Sequence, residues 1–186
     1  MKTVKYEIEF FSNWHCGSGL AAGADVDTLV IKDKNGIPYV PGRTMKGLLR
    51  DAANVISVKE DLINAIFGVA GDKDDHKTGC AFFSNATLSS AEYNYILENK
   101  LTPYLFQTFA STSIDENGIA KDNTLRKIET VVPCKLMGEI LNVPDGAALD
   151  ALNDAMHYIK RMGTGRNRGY GRCKITITDT KNGEEA

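Results

Sequence analysis

The sequence is poor in cysteine, and the cysteines it has are scattered. Cys16, Cys80, Cys134 and Cys173 stand far apart with no CxxC pair, which leaves no redox motif or paired zinc knuckle to build. His15-Cys16 and the His76, Cys80 pair could each supply metal ligands, but neither has the second clustered pair that a structural zinc needs. Long apolar runs are also missing. None reaches the ~18–20 residues of a membrane span. Met1 to Phe11 alternates charged with apolar residues, unlike a secretory leader. The expected setting is the cytoplasm, with reduced thiols and no membrane partner. No internal repeat of 20–50 residues appears, so a solenoid is excluded. The GxxxxGK[ST] spacing of a nucleotide-binding P-loop is absent.

A marked excess of either charge is lacking too. Lysine and arginine total 22 against 24 acidic residues, a net charge of −2. Such a mean speaks against a nucleic-acid binder, but the distribution speaks otherwise. From Ala155 to Thr178 there is no acidic residue, while Lys160, Arg161, Arg166, Arg168, Arg172 and Lys174 all fall there. What remains is ordinary globular material: 186 residues, 42% hydrophobic and 25% charged, enough for a single domain with its own core.

The periodicity predicts mixed helix and sheet. Val4, Tyr6, Ile8 and Phe10 alternate with Lys5, Glu7 and Glu9, a strand with one buried face. Strands are also expected over 28–31 and 37–40, joined by a turn at Lys34-Asn35-Gly36, and over 80–88, 131–141 and 173–178. Helices are expected from Thr44, as N-cap, with Met45, Leu48, Leu49, Ala52 and Ile56 as its apolar stripe. Others are expected over 60–67, 91–99 and 147–161. Residues 107–128 are rich in Ser, Thr, Asp and Asn and read as a projecting loop or hairpin, the kind of long segment that usually carries function. The tail from Thr180 is polar and expected to fray. The element order suits an α+β, ferredoxin-like βαββαβ fold, 1–186 as one domain with 107–128 inserted.

Three segments could carry chemistry. The first is Gly163-Thr164-Gly165-Arg166-Asn167-Arg168-Gly169-Tyr170-Gly171. Its glycines permit positive φ and close backbone approach. Its arginine forks match phosphate, and its free amides can form an anion nest. It lies between a helix and a strand, the wrong order for a dinucleotide fingerprint. The second is Pro41-Gly42-Arg43-Thr44-Met45-Lys46-Gly47-Leu48-Leu49-Arg50, where Arg43, Lys46 and Arg50 share one helical face near an N-terminus that attracts phosphate. The third is the trio Asp25, Asp27 and Asp33, which could hold Mg²⁺, although loop aspartates by themselves mostly cap turns. His15 could act as a general base or be a sheet-end residue. Trp14 could stack on a base or pack in the core. His157 falls on a core-type helix and reads as structural.

Taken together, these blocks resemble the RAMP superfamily, the repeat-associated proteins of CRISPR effector complexes, and most nearly the backbone subunit of the type III complexes. The resemblance rests on five blocks in order. They are Gly17-Ser18-Gly19; Val26 to Asp33 with Ile37 to Arg50; Phe67-Gly68 with Phe82-Phe83-Ser84-Asn85-Ala86; Ile114 to Thr130, with Leu125-Arg126 and Glu129; and Gly163 to Gly171. It implies an RNA-recognition-type palm with 107–128 as a thumb reaching a neighbouring subunit. It implies guide-RNA (crRNA) contacts at Arg43, Lys46, Arg50, Arg166 and Arg168 and at the backbone of Gly163 and Gly165. It implies partners in guide RNA, target RNA, further copies of the chain and other effector subunits. It also implies that Asp27, with Mg²⁺, cleaves the target RNA. The chain departs from the family pattern with Arg43 in place of a small residue, Asn85 in place of aspartate, and a shorter length. Two other readings use the same residues: a stand-alone RAMP endoribonuclease that processes guide RNA with His15 as base, and a ferredoxin-like domain that binds no nucleic acid.

Overall fold

The computed structural model describes residues 1–20, 26–69 and 77–182. Strand β1 (Lys2–Phe10) is followed by helices α1 (Gly42–Val55) and α2 (Glu60–Phe67) and by the short strands β2 (Gly68–Val69), β3 (Lys77–Thr78) and β4 (Phe82–Phe83). Next come α3 (Ser90–Glu98), a short 3₁₀ turn, and the hairpin of β5 (Phe106–Ser111) with β6 (Arg126–Val131). Strand β7 (Lys135–Val143), helix α4 (Ala147–Tyr158) and strand β8 (Cys173–Asn182) complete the chain. The main sheet has the order β4-β7-β1-β8, every neighbouring pair antiparallel.

One face of this sheet is apolar and closed. Val4, Tyr6, Ile8 and Phe10 of β1 are all buried, as are Leu136 and Ile140 of β7 and Cys173 and Ile175 of β8. They share one core with Met45 and Leu49 of α1 and with Leu152 and Met156 of α4. Each fully buried aliphatic side chain here contributes about 1.5–3 kcal/mol. The opposite face carries ion pairs instead, Lys5 to Glu139 and Lys135 to Glu7 and Glu9. Glycine is required at one central point. Gly138 pairs with Tyr6 across β1 and β7, and any Cβ there would run into the Tyr6 ring.

Several boundaries differ from expectation, each for a physical reason. α1 begins at Gly42, not at Thr44. The oxygen that accepts its first amide belongs to Asn85 (Gly42 N–H to Oδ1, 2.9 Å), from far along the chain. Segments 28–31 and 37–40 form isolated bridges rather than strands, because their partners are a loop, the inserted hairpin and the β4 region. The turn between them is as expected: Gly36 adopts φ +80° and donates to the Asp33 carbonyl. The 80–88 strand shrinks to Phe82–Phe83 with bridges at Ala86 and Thr87. α4 stops at Tyr158 rather than Arg161. β8 runs on to Asn182, so the described part of the tail pairs with β1 instead of fraying. α2 occupies 60–67 as read. α3 starts one residue before the expected 91, with Ser89 and Glu92 forming a capping box.

Candidate nucleic-acid interface

The 163–171 loop is held in shape at its neck. Met162 N–H donates to the Gly171 carbonyl at 3.0 Å, and Arg161 bridges Arg172. Gly163, Gly165, Gly169 and Gly171 all have positive φ, the conformation that favours glycine. At three of them space is also closed: a Cβ on Gly163 would meet the His15 carbonyl, one on Gly165 the Tyr170 ring, and one on Gly171 the Met162 carbonyl. The Arg161 guanidinium donates to the Arg166 carbonyl at 3.0 Å. Arg166 and Arg168 themselves are exposed.

The loop faces the base of the β5–β6 hairpin, and a cleft of about 730 Å³ separates them. One wall is Gly163 to Arg168 with Tyr170; the other includes Phe109, Arg126 and Lys127. Phe109 and Tyr170 close one contact between the walls, their rings 5.7 Å apart and tilted by 53°. Asp27 lies in the same cleft. Its Oδ2 accepts the Lys127 amide at 2.6 Å, and its own amide donates to the Lys127 carbonyl at 3.0 Å. Among the described residues its Oδ1 has no hydrogen bond, and it is the only carboxylate lining the cleft. Two of the three sequence signals, Asp27 and the glycine–arginine loop, therefore meet in one place.

The second signal lies apart. Arg43, Lys46 and Arg50 do not line this cleft. Lys46 and Arg50 are half-buried on α1 and Arg43 is exposed. The link between the two is the segment at His15-Cys16. Burial pushes the Cys16 thiol up, while the Thr44 hydroxyl and the Arg43 charge beside it pull it down. On the other side, the His15 carbonyl accepts the Thr164 amide at 2.9 Å.

The remaining candidates have structural duties. Asp33 accepts the amides of Asn35 and Ile37 through Oδ1 and the Tyr93 hydroxyl through Oδ2. Desolvation opposes its ionisation, but these bonds together outweigh it and hold the carboxyl below the usual range. His15 is 2% exposed, and its Nδ1 lies 2.6 Å from the Glu129 carbonyl. A carbonyl only accepts, so Nδ1 carries the proton and donates. His15 is thus a tether between loop and hairpin. Trp14 is buried and stacked on Phe10 with centroids 4.5 Å apart, which is the core role and not an open stacking platform. Asp25 and His76 lie outside the described residues.

A network centred on Glu129, whose partners are distant in sequence, fixes the hairpin. Glu129 receives Lys32 Nζ on Oε1 at 2.7 Å and the Val30 amide on Oε2 at 3.0 Å. Lys32 also sits 4.0 Å from the centre of the Phe106 ring, a cation–π contact. Arg126, Lys127 and Phe109 also line the cleft, and of these only Arg126 is singled out among the residues that carry the resemblance. In the sequence, Lys127 and Phe109 show only as half of a basic pair and as an aromatic within an otherwise polar stretch.

The geometry is that of a mixed helix-and-sheet domain with a basic, glycine-lined cleft at the root of an inserted hairpin. The chain belongs to the RAMP superfamily, whose model matches residues 7–174. Among solved structures, it is similar to a chain in the cryo-EM structure of the type III-B Cmr-beta bound to cognate target RNA. That match has a TM-score of 0.74 at 10% identity and covers 94% of this chain and 96% of the other. It is also similar to a chain of the type III-B Cmr-beta in its apo state, with a TM-score of 0.71 at 11% identity and the same coverage. At that identity the likeness defines the fold. No curated protein matches the chain by sequence. No helix among the described residues is long and apolar enough to cross a membrane.

Proposed function

We propose that this chain is a guide-RNA-binding backbone subunit of a type III CRISPR effector, acting in the cytoplasm, and that Asp27 cleaves the target RNA. The observation that carries the reading is the meeting of Asp27 with the glycine–arginine loop in one cleft under the hairpin. The sheet order β4-β7-β1-β8, with α1 and α4 packed on one face, supports a ferredoxin-like palm spanning one domain. The 107–128 insertion is its thumb, exposing Ile114, Ile119 and Leu125 toward a neighbouring subunit.

In this reading the guide backbone runs over Arg43, Lys46 and Arg50 and over the amides of Gly163 and Gly165. Arg166 and Arg168 neutralise its phosphates, a contribution that depends strongly on salt. The target strand enters the cleft, where a kink at the thumb root turns a ribose 2′-hydroxyl in line with its phosphate. The free Oδ1 of Asp27 faces this point and assists the attack.

Among the described residues no cluster of three His, Cys, Asp or Glu side chains could hold a metal ion, and Asp27 is the single carboxylate of the cleft. Mg²⁺, which takes one or two carboxylates plus substrate phosphate, would therefore draw its other ligands from the RNA and water. Asp27 would hold it, and when bound the ion would balance charge developing at phosphorus. The test is to assemble the chain with guide RNA and challenge it with a complementary target and Mg²⁺. Cutting at regular positions is expected. A chain that binds no guide RNA at moderate salt overturns the reading.

A further inference from the structure

A second cleft opens on the other side of the loop's neck, between the end of α4 and the start of β8, with a volume of about 370 Å³. Lys160, Arg161, Arg172, Lys174 and His157 line it together with Phe11, and no acidic side chain does. None of these side chains takes part in an ion pair among the described residues. The spacing is built rather than incidental. Arg161 and Arg172 are held opposite each other by an antiparallel bridge. Cys173 N–H donates to the Lys160 carbonyl at 3.0 Å, and Phe11 N–H to the Arg172 carbonyl at 2.8 Å, which fixes the backbones that carry all three walls.

Four exposed cations gathered on fixed backbones with no acidic side chain among them raise the local positive potential and favour an anion there. Phe11 adds a 51% exposed aromatic ring at the same place. Cations beside an open aromatic form the pattern that holds single-stranded nucleic acid, phosphates on the charges and a base on the ring. The volume lies at the small end of ligand sites, suited to one nucleotide and too small for a duplex. It shares no lining residue with the larger cleft. Arg161 nevertheless connects the two, since it lines this cleft while donating to the Arg166 carbonyl of the loop.

We infer that this cleft is a second RNA subsite, which takes one nucleotide of a single strand, its phosphates on Lys160, Arg172 and Lys174 and its base against Phe11. The inference rests on the reading of the chain as an RNA binder and extends it to residues beyond the glycine loop. The test is anisotropy with a fluorescent single-stranded RNA across a salt series. Wild type is compared with Lys160→Ala/Lys174→Ala, with Phe11→Leu and with Arg166→Ala/Arg168→Ala. All the changed residues are exposed, and melting curves check that each variant folds. The Lys160/Lys174 pair is expected to weaken binding at least fivefold and to flatten the slope of log K against log salt by roughly 1.4, at ~0.7 per phosphate. Phe11→Leu is expected to weaken binding about fivefold or more with an unchanged slope. If wild type binds and only the Arg166/Arg168 variant responds, the subsite is wrong and the proposed function stands. If wild type binds no RNA, both fall.

Discussion

Asp27 and Lys127 hold each other by two hydrogen bonds, one from each backbone amide. The Lys127 amide reaches the Asp27 carboxylate at 2.6 Å, and the Asp27 amide reaches the Lys127 carbonyl at 3.0 Å. One carboxylate oxygen is thereby spent on fixing the hairpin root, and the other is left for the cleft. The structural role of Asp27 and the catalytic role proposed for it need a substitution that separates them. Alanine removes both. Asparagine keeps an oxygen for the Lys127 amide and removes only the charge.

The loop's glycines should differ sharply in their tolerance. Gly163→Ala places a Cβ against the His15 carbonyl at a φ of +87°, whereas Gly169→Ala at φ +90° meets nothing within 4 Å. The second change should cost about 1–2 kcal/mol, the usual strain of a left-handed residue. The first adds a backbone clash and should cost on the order of 2–5 kcal/mol. Urea titrations of the two variants check this. Equal losses would mean the loop is not held against His15.

Glu129 should be the strongest single tie between hairpin and palm. Its carboxylate meets Lys32 Nζ at 2.7 Å and the Val30 amide at 3.0 Å, with its side chain only 13% exposed. Glu129→Ala leaves both donors without their partner, at a cost of about 1–3 kcal/mol. Glu129→Gln preserves the acceptor for Val30 and should lose less. A denaturation series comparing the two, alone and with Lys32→Met, measures the coupling.

Thiol chemistry gives a pH prediction. Burial pushes both Cys134 and Cys173 up to about 11, from an ordinary value near 9. At pH 8 roughly one thiol in a thousand at these sites is ionised, so a thiol reagent should leave both unlabelled in the folded protein. The unfolded chain ionises these thiols first. Stability is therefore fully present below about pH 9 and is lost as pH rises toward about 11. Melting temperatures across that window should fall, and Cys173→Ala should reduce the slope.

The phosphate contacts proposed for Arg166 and Arg168 predict a salt signature. Arg166 and Arg168 are exposed at the cleft mouth. Replacing both with alanine should weaken RNA binding and reduce the salt slope by roughly 1.4. Filter binding over a range of salt measures both numbers, and an unchanged slope removes these residues from the phosphate path.

Much of the palm was legible in the sequence because its signals are local. The alternation from Val4 to Phe10 names the buried face of β1 without reference to any other strand. α2 occupies the residues that its own apolar pattern predicts. Non-local partners hid the rest. The start of α1 depends on Asn85, which lies 43 positions away, whereas local sequence alone points to Thr44 as the cap. Segments 28–31 and 37–40 have strand composition, but their neighbours in space form no continuous ladder. The cleft was half visible. Each of its halves stood out by residue type, but a list of residues does not show that Asp27 lies across from Gly163 to Arg168. That proximity comes from the hairpin root and from the His15 tether to Glu129.

The central claim is that Asp27 acts on target RNA in this cleft. The direct measurement is target cleavage by the complex assembled with guide RNA and Mg²⁺, wild type against Asp27→Asn. The account predicts that Asp27→Asn binds guide and target with unchanged affinity and melts within a few degrees of wild type, while cleavage falls at least a hundredfold, the usual scale for a lost acid–base group. Cleavage at the wild-type rate by a folded, RNA-bound Asp27→Asn complex would contradict it.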